Sequence, residues 1–144
     1  MDAAEPSTNG RSAQNLHRLA ALLDDAGLAA RARAACAAFA PDASQHPFLF
    51  AGLLQAVAAG RLGVRAVVVC GEGRAVERAL AAARRRVGAN ETLARLGGAA
   101  PCGWLRRRNA LFRGLDPGRP RVQVCEAGVC TEELEAGDAA EALG

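Results

Sequence analysis

The chain has 144 residues and a mass of 14.8 kDa. That length is enough for one domain with a hydrophobic core, and it is short for a two-domain enzyme. The net charge of +3 is too small to indicate a nucleic-acid partner. No apolar run approaches the roughly 20 residues that a membrane-spanning helix needs, and the acidic N-terminus is unlike a signal peptide. We therefore expect a soluble protein that binds neither nucleic acid nor membrane.

Three helices with short connections are predicted for residues 1–62. The first runs from about Thr8 to Asp24, the second ends near Ala40, and the third begins at Pro47 and ends at Gly60. In the first helix, four leucines recur at helical spacing and are expected to face the protein core: Leu16, Leu19, Leu22 and Leu23. Those of the third are Phe50, Leu53, Leu54 and Val57.

After Gly63 the pattern changes to strands alternating with helices. The valine-rich run from Arg65 to Cys70 predicts a strand that is buried on both faces. The segment from Arg74 to Val87 predicts an amphipathic helix with its arginines outward. A weaker candidate strand, from Glu91 to Leu96, completes a βαβ unit.

The last third of the chain predicts a β-hairpin. Residues 97–102 are expected to form a loop and residues 104–112 a short helix. The segment from Arg121 to Cys125 alternates polar and apolar residues as a half-buried strand does, and Val129 to Thr131 folds back as its partner. The acidic tail is expected to hold at most a short helix, at residues 139–143.

The predicted fold class follows from these elements. We expect an α+β or α/β chain in which antiparallel helical hairpins occupy residues 1–62. A small segment over residues 63–144 then adds a βαβ-type layer and a C-terminal β-hairpin.

The five cysteines form an odd and widely spaced set, unlike the dense framework of a small secreted domain. A reducing, cytoplasmic location is therefore expected. Cys125 and Cys130 lie five residues apart across the predicted hairpin turn, where their sulfurs can form a disulfide, a thiol pair or half of a metal site. Two reduced structural cysteines are the first expectation, and a reversible disulfide is the alternative. Further metal ligands at suitable spacing are lacking, so no metal is expected.

A polar cluster, Glu5, Ser7 and Asn9, lies at the start of the first helix. Such side chains accept hydrogen bonds from the free backbone amides of a helix N-terminus. They can also line a pocket at the mouth of the helix, with Glu5 as a candidate acid or base. Both readings stay open.

Other signatures of chemistry are weak. The segment Gly71-Glu72-Gly73 lacks the third glycine of a dinucleotide-binding loop, so no cofactor is expected. His17 and His46 are isolated in the sequence, and no serine lies in a nucleophile elbow. No catalytic triad is predicted.

Several ordered motifs nevertheless resemble a known family. Residues 4–9 and 13–19 are similar to the A-E-P-S-x-N and N-L-x-R-L signature of the spermatogenesis-associated protein 20 family, the YyaL-like proteins. The likeness continues in order through residues 45–50 and 60–64, which look most like fungal members, and then through residues 67–71. It ends at Val124-Cys125-Glu126 with Cys130.

The resemblance implies a place in a larger architecture. Members carry a thioredoxin-like domain and an (α/α) toroid like that of six-hairpin glycosidases, and this chain resembles the last toroid helices plus the terminal α/β segment. Glu5, Ser7 and Asn9 then match the mouth of an inner toroid helix, facing the central cavity. The implied partners are the remainder of the toroid and the thioredoxin-like domain.

Three functions follow as expectations. The first is a C-terminal portion without catalysis of its own, whose helices expose apolar faces to the rest of the toroid. The second is part of a carbohydrate-active enzyme with Glu5 and Asn9 in the cavity, although a lone carboxylate does not complete glycoside chemistry. The third is a thiol-redox module that uses Cys125 and Cys130. The first is preferred.

Overall fold

The computed structural model describes residues 7–142, without the side chains of residues 131–133 and 140–142. The chain divides into two compact units, residues 1–64 and residues 65–144, which we call the helical unit and the α/β unit. The fold class is α+β, as predicted.

In its described part, residues 7–64, the helical unit contains four helices and one 3-10 turn. They are α1 (Thr8–Leu23), α2 (Ala26–Ala38), α3 (Ala40–Gln45), the 3-10 turn Pro47–Phe50 and α4 (Ala51–Leu62). Helix α1 packs against both α2 and α4. Asp25 begins α2 by accepting a hydrogen bond from the Leu28 amide at 3.0 Å, which satisfies a backbone donor left open at the helix start.

The fully buried positions of α1 are small and polar residues, whereas Leu16, Leu22 and Leu23 are only half-buried, so the predicted leucine face is wrong in part. The buried positions are Gly10, Ala13, Gln14, His17 and Ala20. Leu19 is 45% exposed instead. The physical reason is close backbone contact: a Cβ added at Gly10 would lie 2.7 Å from the Gly52 carbonyl carbon, so α1 and α4 approach too closely for leucines between them.

A buried polar contact fixes the same helix pair. The Gln14 side-chain amide donates to the Gly52 carbonyl at 2.9 Å and to the Gln55 side-chain oxygen at 3.0 Å. Around this contact the core of the unit collects Ala13, Cys36, Ala43, Phe50, Leu53 and Ala56.

The third helix differs from its prediction. Pro47 begins a 3-10 turn rather than the α-helix, and helix α4 continues past Gly60 to Leu62. Gly63, with a φ of 86°, is the C-cap of this helix, whereas Gly60 was predicted to end it. Leu54, predicted to be buried, is 43% exposed. The short helix α3 was not predicted either.

The α/β unit contains four strands and three helices. In chain order they are β1 (Arg65–Cys70), α5 (Arg74–Arg86), β2 (Glu91–Leu96), α6 (Ala99–Arg108), the 3-10 turn Ala110–Phe112, β3 (Arg121–Glu126), β4 (Val129–Glu135) and α7 (Ala136–Ala142). The sheet order is β2-β1-β3-β4. Strands β1 and β2 are parallel, and β3 is antiparallel to both β1 and β4. The βαβ unit and the C-terminal hairpin are therefore confirmed.

Branched side chains from the sheet and from α5 fill the core of this unit. Strand β1 is buried from Ala66 to Cys70, as its valine-rich run predicts. The cluster includes Val67, Val69, Val76, Leu80, Val122 and Val124. Helix α7 packs against α5, and Ala136 and Ala139 join the same cluster.

Three boundaries in this unit differ from the predictions. Residues 99–102 begin α6 rather than forming a loop, because Pro101 is tolerated in a first turn whose amides have no partner within the helix. Phe112 lies in a separate 3-10 turn. Strand β4 extends to Glu135 and α7 starts at Ala136, so part of the predicted tail is a paired strand; residues 143 and 144 lie outside the described residues.

Across residues 7–142 no helix is both long enough and apolar enough to cross a membrane.

Candidate functional site

The β3–β4 hairpin brings Cys125 and Cys130 together. The two residues are direct partners in the strand register, and the turn between the strands is formed by Ala127 and Gly128, both at positive φ. Their sulfurs are joined in a disulfide with an S–S distance of 2.03 Å. The structure therefore shows a bonded pair where two reduced cysteines were the first expectation, because the tight turn sets the two residues opposite each other.

A side-chain amide contacts one sulfur of this pair. Gln123 Nε2 lies 3.2 Å from Cys130 Sγ and donates to the Leu111 carbonyl oxygen at 3.0 Å. The same carbonyl oxygen lies 3.6 Å from Cys130 Sγ. A sulfur in a disulfide carries no proton, but the thiol of reduced Cys130 can donate to this oxygen. Both redox states of Cys130 thus find polar neighbours here.

A second cysteine pair lies deeper in the α/β unit. The sulfurs of Cys70, at the end of β1, and Cys102, in α6, are 2.9 Å apart, and both residues are fully buried. Burial, reinforced by the hydrogen bond with Cys102, raises the pKa of the Cys70 thiol to about 12. A thiol with that pKa is protonated at neutral pH and is a poor nucleophile.

The polar cluster at the helix start is only partly described. The Ser7 side chain accepts a hydrogen bond from the Gly10 amide at 3.2 Å, which is the capping interaction that the residue type favours. The Asn9 side chain is exposed in the first turn of α1. Glu5 lies outside the described residues.

The sequence analysis missed a cavity in the helical unit. It has a volume of about 280 Å³ and lies between the end of α1, the start of α2 and the end of α4. Its polar lining comes from His17, Asp24, Asp25 and Arg33, and alanines supply much of the rest. His17 is 6% exposed, and its ring lies against Gly60 at the edge of the cavity. The sequence signal was Gly60, whose missing side chain leaves room for the His17 ring: a Cβ there would lie 2.8 Å from His17 Nε2.

The imidazole in this cavity is electrostatically unusual. Burial, and to a smaller extent the positive charge of Arg33, lower the pKa of His17 below its usual 6.5. The ring is therefore neutral at pH 7, with one nitrogen donating and the other accepting.

Within the described part of the chain, no three His, Cys, Asp or Glu side chains are grouped so that they could hold a metal ion. A scan against protein-family models and searches among curated proteins and among solved structures found no match for this chain.

Proposed function

We propose that this chain is the C-terminal part of a spermatogenesis-associated protein 20-like protein and that its helical unit serves as a packing surface for further toroid helices. The ordered sequence motifs support the family. The observation that carries the function is the orientation of the leucines. Helix α1 turns its small residues inward and leaves Leu19 45% exposed, although leucine at this spacing normally faces a core.

Other large apolar side chains of the helical unit support the same function. Phe48 is 94% exposed and Leu62 is 72% exposed, and Leu49 and Leu54 are exposed by 42% and 43%. In the proposed function these exposed side chains are the ones that a partner covers. Helices of the toroid are the occupant that the sequence motifs support, and no catalytic step is assigned to the chain itself.

The test is dye binding by the isolated chain. We expect anilinonaphthalenesulfonate to fluoresce strongly on the 144-residue protein, and the double variant Leu19→Gln/Leu62→Gln to lose most of that signal while keeping its far-UV circular dichroism. Val129→Gln is the matched control, because Val129 is 61% exposed on the α/β unit. A double variant that binds as much dye as the parent chain contradicts the proposal.

A second candidate function is a reversible disulfide at Cys125 and Cys130. The disulfide and the polar neighbours of Cys130 favour it. Oxidation joins the two sulfurs and releases two protons and two electrons, which a disulfide such as oxidised glutathione accepts as it becomes two thiols. The three remaining cysteines, Cys36, Cys70 and Cys102, are buried free thiols, which suits the reducing, intracellular compartment that we propose.

Mass spectrometry in glutathione buffers of graded ratio tests this candidate. A reversible switch shows a mass change of two hydrogens within the range of cellular buffers, and Cys130→Ser abolishes it. Cys36→Ser is the control, because Cys36 has no cysteine partner. If the pair stays oxidised, or stays reduced, across the whole range of glutathione buffers, the proposed reversible disulfide is contradicted.

The carbohydrate-active alternative gains no support from the described residues. Ser7 is used as a helix cap and Asn9 is exposed, while Glu5 lies outside the described residues.

A further inference from the structure

The cavity of the helical unit combines one buried imidazole with two exposed side chains of opposite charge. His17, Asp24 and Arg33 all line it. No hydrogen bond or ion pair to another side chain is found for any of them among residues 7–142. Asp25, by contrast, is already used: its carboxylate caps α2 through the Leu28 amide.

The buried imidazole is the most informative of the three. His17 is 6% exposed and lines the cavity, so a ligand in the cavity can form hydrogen bonds with its ring. Its neutral state leaves one N–H to donate and one nitrogen to accept. The ring therefore suits a ligand that offers polar atoms inside the cavity.

The charged side chains that line the cavity determine which charged groups a ligand must carry. Arg33 offers a guanidinium, which pairs with a carboxylate through two parallel hydrogen bonds. Asp24 offers a carboxylate, which attracts an ammonium group and repels a second anion. Asp24 and Arg33 carry opposite charges and line the same cavity, but they form no ion pair with each other.

The remaining surface is apolar. Much of the lining consists of alanine side chains: Ala20, Ala21, Ala26, Ala29 and Ala59. A volume of about 280 Å³ holds a ligand of a few carbon atoms with two charged ends and no bulky ring system.

We propose that this cavity binds a small aliphatic amino acid, with the ligand carboxylate on Arg33 and His17 and its ammonium group on Asp24. The site lies within the helical unit and does not depend on the packing function proposed above. Neither a simple carboxylate nor a simple amine satisfies both charged side chains, so recognition requires both ends of the ligand.

The experiment is an NMR titration of the whole chain. The probes are glycine, 4-aminobutanoate and 6-aminohexanoate, which place the two charges at increasing separation, with butanoate and butylamine as single-charge analogues. The readout is the Cε1–H signal of His17. The chain contains only two histidines, and exposed His46 serves as the internal control.

We expect at least one of the three amino acids to shift the His17 signal saturably, and butanoate and butylamine to bind at least roughly tenfold more weakly. The His46 signal stays in place. If none of the three produces a saturable shift, or if butanoate binds as well as the best amino acid, the proposal is wrong.

Variants test whether the charged side chains of the cavity contribute to amino-acid binding. Arg33→Gln and Asp24→Asn are each expected to weaken binding by roughly tenfold. Asparagine tolerates the left-handed backbone of residue 24, where φ is 54°, so the fold is retained. Arg31→Gln is the matched control, because Arg31 is exposed on the same helix and does not line the cavity. Equal losses in Arg31→Gln and Arg33→Gln would show general charge screening and overturn the assignment.

Discussion

The two units of this chain bury different kinds of side chain. The α/β unit buries branched and aromatic residues, including Val68, Val69 and Phe112, each 0% exposed. The helical unit buries glycine and alanine where α1 meets α4 and leaves several leucines and Phe48 exposed. Because apolar burial is the main favourable term in folding, the α/β unit holds its stability within itself. The helical unit has a core of smaller side chains, and under the proposed function it gains further stability when its exposed leucines are covered.

The largest expected difference in stability comes from replacing one leucine by alanine in each unit. Leu105, in α6, is 1% exposed, so Leu105→Ala should destabilise the α/β unit by about 2–5 kcal/mol. Leu19→Ala should cost the isolated chain less than about 1 kcal/mol. Amide hydrogen exchange during urea unfolding measures each unit separately. Equal costs would remove the contrast between the units.

Close helix contact predicts the next effect. Gly10→Ala adds a methyl group against the backbone of Gly52 and Leu53, so we expect a loss of about 1–3 kcal/mol in the helical unit. Gly137→Ala is the control, because nothing lies within 4 Å of its Cβ position in α7. It should be neutral or stabilise by up to about 1 kcal/mol. Thermal unfolding followed by circular dichroism checks both, and a stabilising Gly10→Ala would contradict the close approach of α1 and α4.

A cap variant tests how much one helix cap contributes to the stability of the helical unit. Asp25→Ala removes the acceptor for the Leu28 amide and should cost about 1 kcal/mol. We expect hydrogen exchange to accelerate in α2 and to stay unchanged in the α/β unit. Faster exchange in both units would mean that they unfold together.

The smallest effect is a pH dependence confined to the helical unit. The pKa of His17 is lower in the folded chain than the 6.5 of an exposed imidazole, so the unfolded chain binds more protons between these two values. Stability therefore falls as the pH is lowered through 6.5 towards the folded pKa. His17→Gln should flatten this part of the pH profile, whereas His46→Gln should leave it intact. Melting temperatures between pH 7.5 and pH 5 provide the comparison.

Sequence patterns predicted the α/β unit better than the helical unit, and the reason is physical. Strand β1 is a nearly continuous apolar run and helix α5 has apolar residues at helical spacing, and both patterns mark the element and its buried positions. Strand β2, which has no fully buried residue, gave the weaker pattern. In α1 the leucines carry the helical period, but none is fully buried and Leu19 is exposed, so the pattern predicted the element and misplaced the centre of its buried face. Small residues such as Gly10 carry little hydropathy signal.

The two candidate sites also differ in how well the sequence predicted them. The spacing of Cys125 and Cys130 across a turn predicted their proximity, because hairpin register depends on local sequence. The cavity around His17 depends on residues from three helices, far apart in sequence. Proximity of that kind comes from tertiary packing, which no local pattern encodes.

The central claim is that the helical unit packs against toroid helices of a longer protein. The most direct test is a denaturing immunoblot of a lysate from the natural source, with an antibody raised against residues 132–144. The account predicts a band several times heavier than 14.8 kDa. A single band at 14.8 kDa would contradict it.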